Sequence, residues 1–488
     1  MSEKKKLADA LKHFCEKLRS AVEGGNEVAI ITHLDADGII SGSIMAIALR
    51  RMQARYSVRA ISEMNPSIID VMKAEDRGFY TITDLGGGWA SHLKKALGDK
   101  WVIIDHHQIP EEEILTDDEV QILNPWKYGI DGGREVPAGG MAYMVASTLD
   151  SRNRDLSAIA VVSAVADRQD QGEKKSFVGL NAEILKSAQS LGVVTVDFDM
   201  MLTGRQTRPL HEALAYTSFP YIEGLTWNRE ACYALLNNSG IKLKENGRRW
   251  RVPAEFSQEE KSTILEAIAK FVTTSDNKRI SGVLLDDLIG YVYTLAREDK
   301  RSQLRDAREF STMLNACGRT GRPGVGIAIC MGDRNAALSA GEQIMNMYRM
   351  TLRNYISSIF SEKWRLVDDG KTTFVNGDGL LEEDMLGAVS SLLSGSPSLR
   401  GRLLFVRTLT KDRTHRFSSR KSLDCKSEAN LGLIMRHCSE AFNGAGGGHS
   451  VAAGCRIPSS ALEDFIASIK VATNDPRFFV KESSSSSS

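Results

Sequence analysis

The chain has 488 residues, more than a single hydrophobic core ordinarily serves, so two or three domains are expected. Hydrophobic residues make up 42% and charged residues 25%, an ordinary globular composition, and with Lys+Arg and Asp+Glu at 62 each the charge of a ligand is decided by local patches rather than by the total. No apolar run approaches the roughly 20 residues needed to cross a bilayer, the N-terminus lacks the apolar core of a secretory signal, and seven scattered Cys without a C-x-x-C pair read as reduced thiols of a cytoplasmic protein, with neither a disulfide framework nor a zinc knuckle.

Leu7, Leu11, Phe14, Leu18 and Val22 recur at helical spacing and predict an amphipathic helix over 7–23. From 27 to 175 strand-like runs (27–32, 57–62, 79–83, 101–105) alternate with helix-like runs (39–54, 89–97, 139–150, 155–167). That alternation predicts an α/β domain with a mostly parallel sheet, whose ligands bind beyond the carboxyl ends of the strands. The middle, about 190–320, reads as a mainly helical connector with an inserted module, with helices near 257–273 and 281–297. From 325 a second, smaller α/β domain is expected: strands at 325–330, 402–407, 415–420 and 451–457, helices at 336–359 and 427–442. The implied division is 1–185, 186–320 and 321–476, followed by a disordered Ser-rich tail at 477–488.

Four acid-rich clusters stand at the ends of apolar elements. Thr32-His33-Leu34-Asp35-Ala36-Asp37-Gly38 follows Val28–Ile31, Asp84 follows Tyr80–Thr83, Asp105-His106-His107 follows Trp101–Ile104, and Asp167 ends an apolar helix. A lone Asp after a strand is most often a turn or cap residue, but caps do not demand paired histidines. His33, Asp35, Asp37, Asp84, His106 and Asp167 offer four carboxylates and two imidazoles, a donor set for divalent cations such as Mn²⁺ or Mg²⁺. It suits two ions sharing one carboxylate, which together stabilise the attacking and leaving oxygens at phosphorus, with His107 spare to contact the phosphoryl group. In the second α/β region, Gly444-Ala-Gly446-Gly447-Gly448-His449 lets backbone N–H groups approach an anion, and Arg416 and Arg420 on one strand suit phosphate.

The clusters His33-Leu-Asp-Ala-Asp-Gly38, Asp84, Asp105-His-His107 and Asp167 together resemble the four motifs of the DHH phosphoesterase superfamily, and Gly446-Gly-Gly-His449 resembles the signature of its C-terminal companion, the DHH-associated domain. Asp167-Arg-Gln-Asp-Gln-Gly172 with Gly179-Leu-Asn, and Phe219-Pro-Tyr-Ile-Glu-Gly-Leu-Thr226, resemble the archaeal RecJ-like branch that includes the GINS-associated nucleases. The resemblance implies that His33, Asp35 and Asp84 hold one Mn²⁺ or Mg²⁺ and that Asp37, Asp84, His106 and Asp167 hold the other, with Asp84 bridging. It also implies that Asp105 orients the site, and that Arg420, Gly446, Gly447, Gly448 and His449 grip nucleic-acid phosphates.

The expected function is a metal-dependent exonuclease acting on single-stranded DNA or RNA, DNA favoured, in replication or repair, with GINS and the replicative helicase as partners and no membrane. Trp126, Tyr128 and Tyr221 are aromatic side chains available to stack bases, although ordinary packing is the commoner role for each one singly. Two alternatives stand beside it: a phosphodiesterase for nanoRNA, short oligonucleotides or cyclic dinucleotides, which usually lacks so long a middle insertion, and a GINS-binding replisome scaffold with a vestigial site, against which the complete set of acids and histidines argues. No G-x-x-x-x-G-K-[ST] loop, G-x-S-x-G elbow or H-E-x-x-H helix occurs. His211-Glu-Ala-Leu-Ala lacks the second His of a zinc helix and is expected to be an exposed helix start.

Overall fold

A computed structural model describes residues 3–109, 121–217, 220, 222–274 and 286–479. The chain divides into two compact units, Met1–Tyr216 with Asn228–Met345, and Thr217–Trp227 with Asn346–Ser488. Among the described residues no helix is long and apolar enough to cross a membrane. All seven cysteines are free thiols, six of them buried.

The first unit begins with α1 (Glu3–Glu23) and is built on a five-stranded parallel sheet in the order β2-β1-β3-β4-β5. Its strands are β1 (Val28–His33), β2 (Tyr56–Ile61), β3 (Phe79–Thr83), β4 (Trp101–Ile104) and β5 (Ile122–Leu123). β1, β3 and β4 are buried almost without interruption and are mostly apolar, with Thr32, Thr81 and Thr83 among their buried residues, because both faces of this sheet are covered. On one face α3 (Pro66–Glu75) and α4 (Ala90–Leu97) supply Ile69, Met72, Ala90 and Leu93 against Ala29, Ile31, Tyr80, Ile82, Trp101 and Ile103. Each side chain fully buried in this way contributes roughly 1.5–3 kcal/mol. The other face receives α2 (Ala36–Arg51), which is buried at every residue from Ala36 to Leu49. It is apolar all round because α5 (Ala138–Leu149) and α6 (Ser157–Ala166) close over it. The chain leaves β1 to one side for β2 and returns on the other side as β3. The carboxyl ends of β1 and β3 therefore flank the topological switch point, where open α/β sheets bind ligands.

Further along are α7 (Gly179–Ser190), β6 (Val194–Met200), α8 (Leu210–Tyr216), α9 (Arg229–Asn238), the short hairpin β7 (Lys244–Glu245) and β8 (Arg249–Trp250), and α10 (Gln258–Thr274). Of the helix expected near 281–297, residues 281–285 lie outside the described residues, and Ile289–Leu295 is a strand, β9, antiparallel to β6. Its β-branched and aromatic residues, Ile289, Tyr291, Val292, Tyr293 and Thr294, favour a pleated surface. The strand expected at 325–330 is a helix. After α11 (Ala307–Arg319), Pro323 opens α12 (Pro323–Cys330), where its missing N–H costs no bond. A short apolar run does not by itself separate a buried strand from a buried helix. α13 (Ala336–Ser361) is long, as expected.

The second unit carries a six-stranded mixed sheet in the order β10-β11-β12-β13-β15-β14. Its strands are β10 (Leu366–Asp368), β11 (Thr372–Asn376), β12 (Leu403–Leu409), β13 (Thr414–Lys421), β14 (Ala445–Gly448) and β15 (Ala452–Pro458). Alternation along β12 sorts its side chains. Leu403 and Phe405 pack against α15 (Leu431–Glu440) and α16 (Leu462–Ala472). Leu404 and Val406 pack against the end of α13 and α14 (Leu386–Ser394). Residues 477–479, grouped by sequence with the tail, turn back on this core: the Asn430 N–H donates to the Phe478 carbonyl at 2.7 Å. Tyr221 and residues 480–488 lie outside the described residues.

Candidate metal centre

His33 is the last residue of β1, Asp84 follows β3, Asp105 follows β4, and Asp167 closes α6. The parallel sheet thus brings segments up to 134 residues apart to one rim (33 to 167). His33 Nδ1 lies 3.1 Å from Asp35 Oδ2 and 3.4 Å from Asp84 Oδ2. His106 Nε2 lies 3.3 Å from Asp84 Oδ1 and 3.6 Å from Asp37 Oδ2, and His106 Nδ1 lies 3.7 Å from Asp167 Oδ2. Among the described residues, three groups have ligand atoms close enough to hold a cation: His33–Asp35–Asp84, Asp37–His106–Asp167, and Asp84–His106–His107. Asp84 is 2% exposed, has a left-handed backbone (φ 63°), and neither of its oxygens accepts a hydrogen bond. A buried carboxylate without donors is costly unless a positive charge joins it.

The side chains around this cluster hold it in shape. Asp37 accepts from Ala138 N and Gly139 N, each at 2.9 Å, at the start of α5, and from Ser163 Oγ. Asp35 caps α2 by accepting from Gly38 N at 3.0 Å. Asp105 accepts from Gly87 N (3.0 Å), His106 N (2.8 Å) and His107 Nδ1 (2.8 Å), so it faces the loop backbone and His107. His106 Nδ1 donates to the Gly132 carbonyl at 2.7 Å, so that when the ring is neutral, as metal ligation requires, it is Nε2 that turns a lone pair toward Asp84 and Asp37. Gly132 must be glycine, because a β-carbon there would sit 2.2 Å from the His106 carbonyl oxygen. That carbonyl also accepts from Trp126 Nε1 at 2.8 Å. Gln169 donates to Asp167 Oδ2 and to the Gly132 carbonyl, both at 2.8 Å, and accepts from Asn181 Nδ2 at 2.7 Å. The Asp167–Gly172 and Gly179-Leu-Asn segments are therefore one positioning chain.

Electrostatics follow this crowding. Burial alone would lower His33 and His106, but the surrounding carboxylates outweigh it and raise both well above the ordinary imidazole range. His107 is likewise raised, to about 9: burial opposes the shift and Asp105 overcomes it. Burial and the charge of Asp84 raise Asp37. Burial and, secondarily, Asp84 also raise Asp167. Burial opposes ionisation of Asp35 and Asp105, yet their His partners and backbone N–H donors hold both carboxyls low. Uncompensated carboxylates beside one another are what a divalent cation neutralises.

In the second unit, β13 places Arg420 opposite Ala452 of β15, and Ala452 pairs across the turn with His449 (His449 N to Ala452 O, 2.8 Å). Gly446–Gly448 form the edge strand. A β-carbon on Gly446 would meet the Met435 carbonyl at 2.6 Å, and one on Gly432 would meet the Gly448 carbonyl at 2.1 Å, so glycine here permits close packing on α15. Gly447 and His449 remain accessible. Arg416, proposed from its strand position for phosphate, is bound instead to Glu383 at 2.7 Å. His211 is not an exposed helix start. It is 8% exposed, with its ring 4.7 Å from Trp250. Sequence reasoning gave no role to Ser163, a single polar residue inside an apolar helix, which carries no motif signal; Gln169 and Asn181 stand within the Asp167–Gly172 and Gly179-Leu-Asn segments, but no individual role for them could be read there.

Three family models match in order: the DHH family N-terminal domain over residues 27–177, the DHH-CID domain over 202–283, and the DHHA1 domain over 399–474. The chain carries the three domain types of the DHH superfamily and is consistent with a RecJ-like member of it. It is 26% identical over 443 residues to the uncharacterized protein MJ0831 of Methanocaldococcus jannaschii, covering 90% of this chain and 91% of that one. Its fold is similar to RecJ in complex with Mn²⁺ from Thermus thermophilus, at TM-score 0.58 and 14% identity over 96% of this chain and 55% of that one. It is also similar to CDC45 from Entamoeba histolytica, at TM-score 0.61 and 13% identity over 96% and 99% of the two chains. DHH superfamily members are phosphoesterases, and the four acid-rich clusters of this chain fall within the matched DHH region.

Proposed function

We propose that this protein is a metal-dependent exonuclease that hydrolyses phosphodiester bonds of single-stranded nucleic acid, DNA favoured, in DNA replication or repair. The observation that carries the reading is Asp84: a buried carboxylate shared by two candidate metal groups, with both oxygens lacking donors. The donor chemistry fits two divalent cations, Mn²⁺ or Mg²⁺, with His33, Asp35 and Asp84 holding one and Asp37, Asp84, His106 and Asp167 the other. Bound there, they would supply an acidified water and neutralise charge developing at phosphorus. The chain's own groups do the rest. His107 is 57% exposed at its side chain and held by Asp105, so it offers a cationic donor to a phosphoryl oxygen. Asp105 fixes that ring while anchoring the backbone of His106 and His107. Arg420, Gly446, Gly447, Gly448 and His449 would bind phosphates of the substrate strand.

The DHH-CID match over 202–283 lies within the middle region, which favours a long strand over a dinucleotide or nanoRNA as substrate. The CDC45-like fold supports a replisome setting, with GINS and the replicative helicase as partners. End-labelled single-stranded DNA and RNA digested with Mn²⁺ or Mg²⁺ test the activity. Mononucleotides are expected from the wild-type protein and none from Asp84→Ala. Metal-dependent turnover undiminished by Asp84→Ala would overturn the site. A pulldown with purified GINS tests the partner separately.

A further inference from the structure

The loop that carries His33, Asp35 and Asp37 is braced from outside the four acid-rich clusters, by α11. The Ala36 N–H, the first of α2, donates to Asn315 Oδ1 at 3.1 Å. One helical step further along α11, Gly318 lies directly against the same loop: a β-carbon there would sit 1.7 Å from the Leu34 carbonyl oxygen. Asn315 and Gly318 are three residues apart and so share one face of α11. The helix itself is firmly seated. Asp306 caps it by accepting from Arg308 N at 2.9 Å and is held by Arg205 Nε at 3.1 Å, and Arg308 pairs with Asp170.

The first N–H groups of a helix have no partner within the helix. In α2 the Gly38 N–H is taken by the Asp35 side chain and the Ile39 N–H by the Asp35 carbonyl, so Ala36 depends on an acceptor from elsewhere. Ala36 stands between Asp35 and Asp37, which belong to different candidate metal groups. Whatever sets its backbone position sets the spacing of both carboxylates.

We propose that Asn315 is a positioning residue for the metal centre: by accepting the Ala36 N–H, with Gly318 admitting the Leu34 carbonyl, it fixes the His33–Asp37 loop in the geometry that binds cations. This rests on the metal-dependent reading above and adds a residue to it. Asn315 touches neither substrate nor reacting atoms. Partners that orient a ligand typically contribute 10- to 100-fold in metal affinity.

The test is Mn²⁺ titration calorimetry on the metal-stripped full chain, with metal-free thermal unfolding as the check on folding. Asn315→Ala is expected to unfold as a folded protein and to bind Mn²⁺ about 10- to 100-fold more weakly. Asn315→Asp, which keeps the acceptor oxygen, is expected to recover most of that affinity. Wild-type affinity in Asn315→Ala overturns the proposal, as does an Asn315→Asp variant no better than Asn315→Ala. Absence of Mn²⁺ binding by the wild-type chain overturns the metal reading and this inference with it, whereas normal wild-type binding with an indifferent Asn315→Ala overturns this inference alone.

Discussion

Trp126 holds the backbone of His106. Its sequence context suggested a ring that stacks on bases, but its indole N–H donates to the carbonyl of His106 at 2.8 Å. Trp126→Phe keeps an aromatic ring and removes that donor. A partly buried carbonyl deprived of its partner costs about 1–2 kcal/mol, and His106 is then restrained mainly by its 2.7 Å bond to Gly132. If that cost falls on the arrangement needed in the transition state, kcat drops roughly 5- to 30-fold. KM for a single strand should stay within about twofold, because the indole is engaged with the His106 carbonyl and not with the substrate strand. Steady-state kinetics with Mn²⁺ on a labelled oligonucleotide separate the two parameters. An unchanged kcat with a raised KM would refute the positioning argument and restore the stacking role.

Further expectations concern the frame around the centre. Gly139→Ala places a β-carbon 2.3 Å from Ser163 Oγ and 3.1 Å from Asp37 Oδ1, so activity should fall at least about 100-fold, as expected for a misplacement near 1 Å. Gly324→Ala, in α12 with open space around it, should be neutral or stabilising by about 0.5–1 kcal/mol in a denaturant melt. Arg205 lies 2.8 Å from Asp199 and 3.1 Å from Asp306, all buried, and Lys261 lies 2.8 Å from Asp199. Arg205→Met leaves those acids short of a partner and should cost about 3–5 kcal/mol. Arg249→Ala, at an exposed pair with Glu245, should cost at most about 1 kcal/mol. Calorimetry that finds the two variants alike would reject the buried cluster's importance. Burial lowers the pKa of His211, so the unfolded chain takes up the proton first. Its contribution is complete above the unfolded imidazole range, about 6.5, and is lost as pH falls below it. His211→Phe should flatten the thermal stability profile between about pH 5 and 7; an unaltered slope would show that another group governs it.

Much of the catalytic half was legible in the sequence because its signals are local. Apolar runs such as Val28–Ile31 and Trp101–Ile104 alternate with helical patterns, and that alternation marks them as buried strands of a covered sheet with the acids immediately after them at its rim. The second unit's Arg402–Arg407 and His415–Arg420 runs were readable for the same reason. Where periodicity was ambiguous the reading failed: residues 325–330, expected as a strand, lie in a helix, and Ile289–Leu295, expected as helix, is a strand, since four to eight apolar residues satisfy either geometry until their neighbours are known.

The amino-acid order by itself determined the kind of chemistry available to this protein, the carboxylates and imidazoles and their place at strand ends. Tertiary structure alone decided what those groups do for one another: that Asp84 stands between two sets of ligand atoms, that Gly132 and Trp126 turn His106, and that Asn315, from the far side of the inserted module, supports the loop of Asp35 and Asp37. The reason is physical. A residue's type and its strand end are written locally, but hydrogen bonds of about 3 Å between segments hundreds of residues apart exist only after the core has packed and the backbones have been brought together.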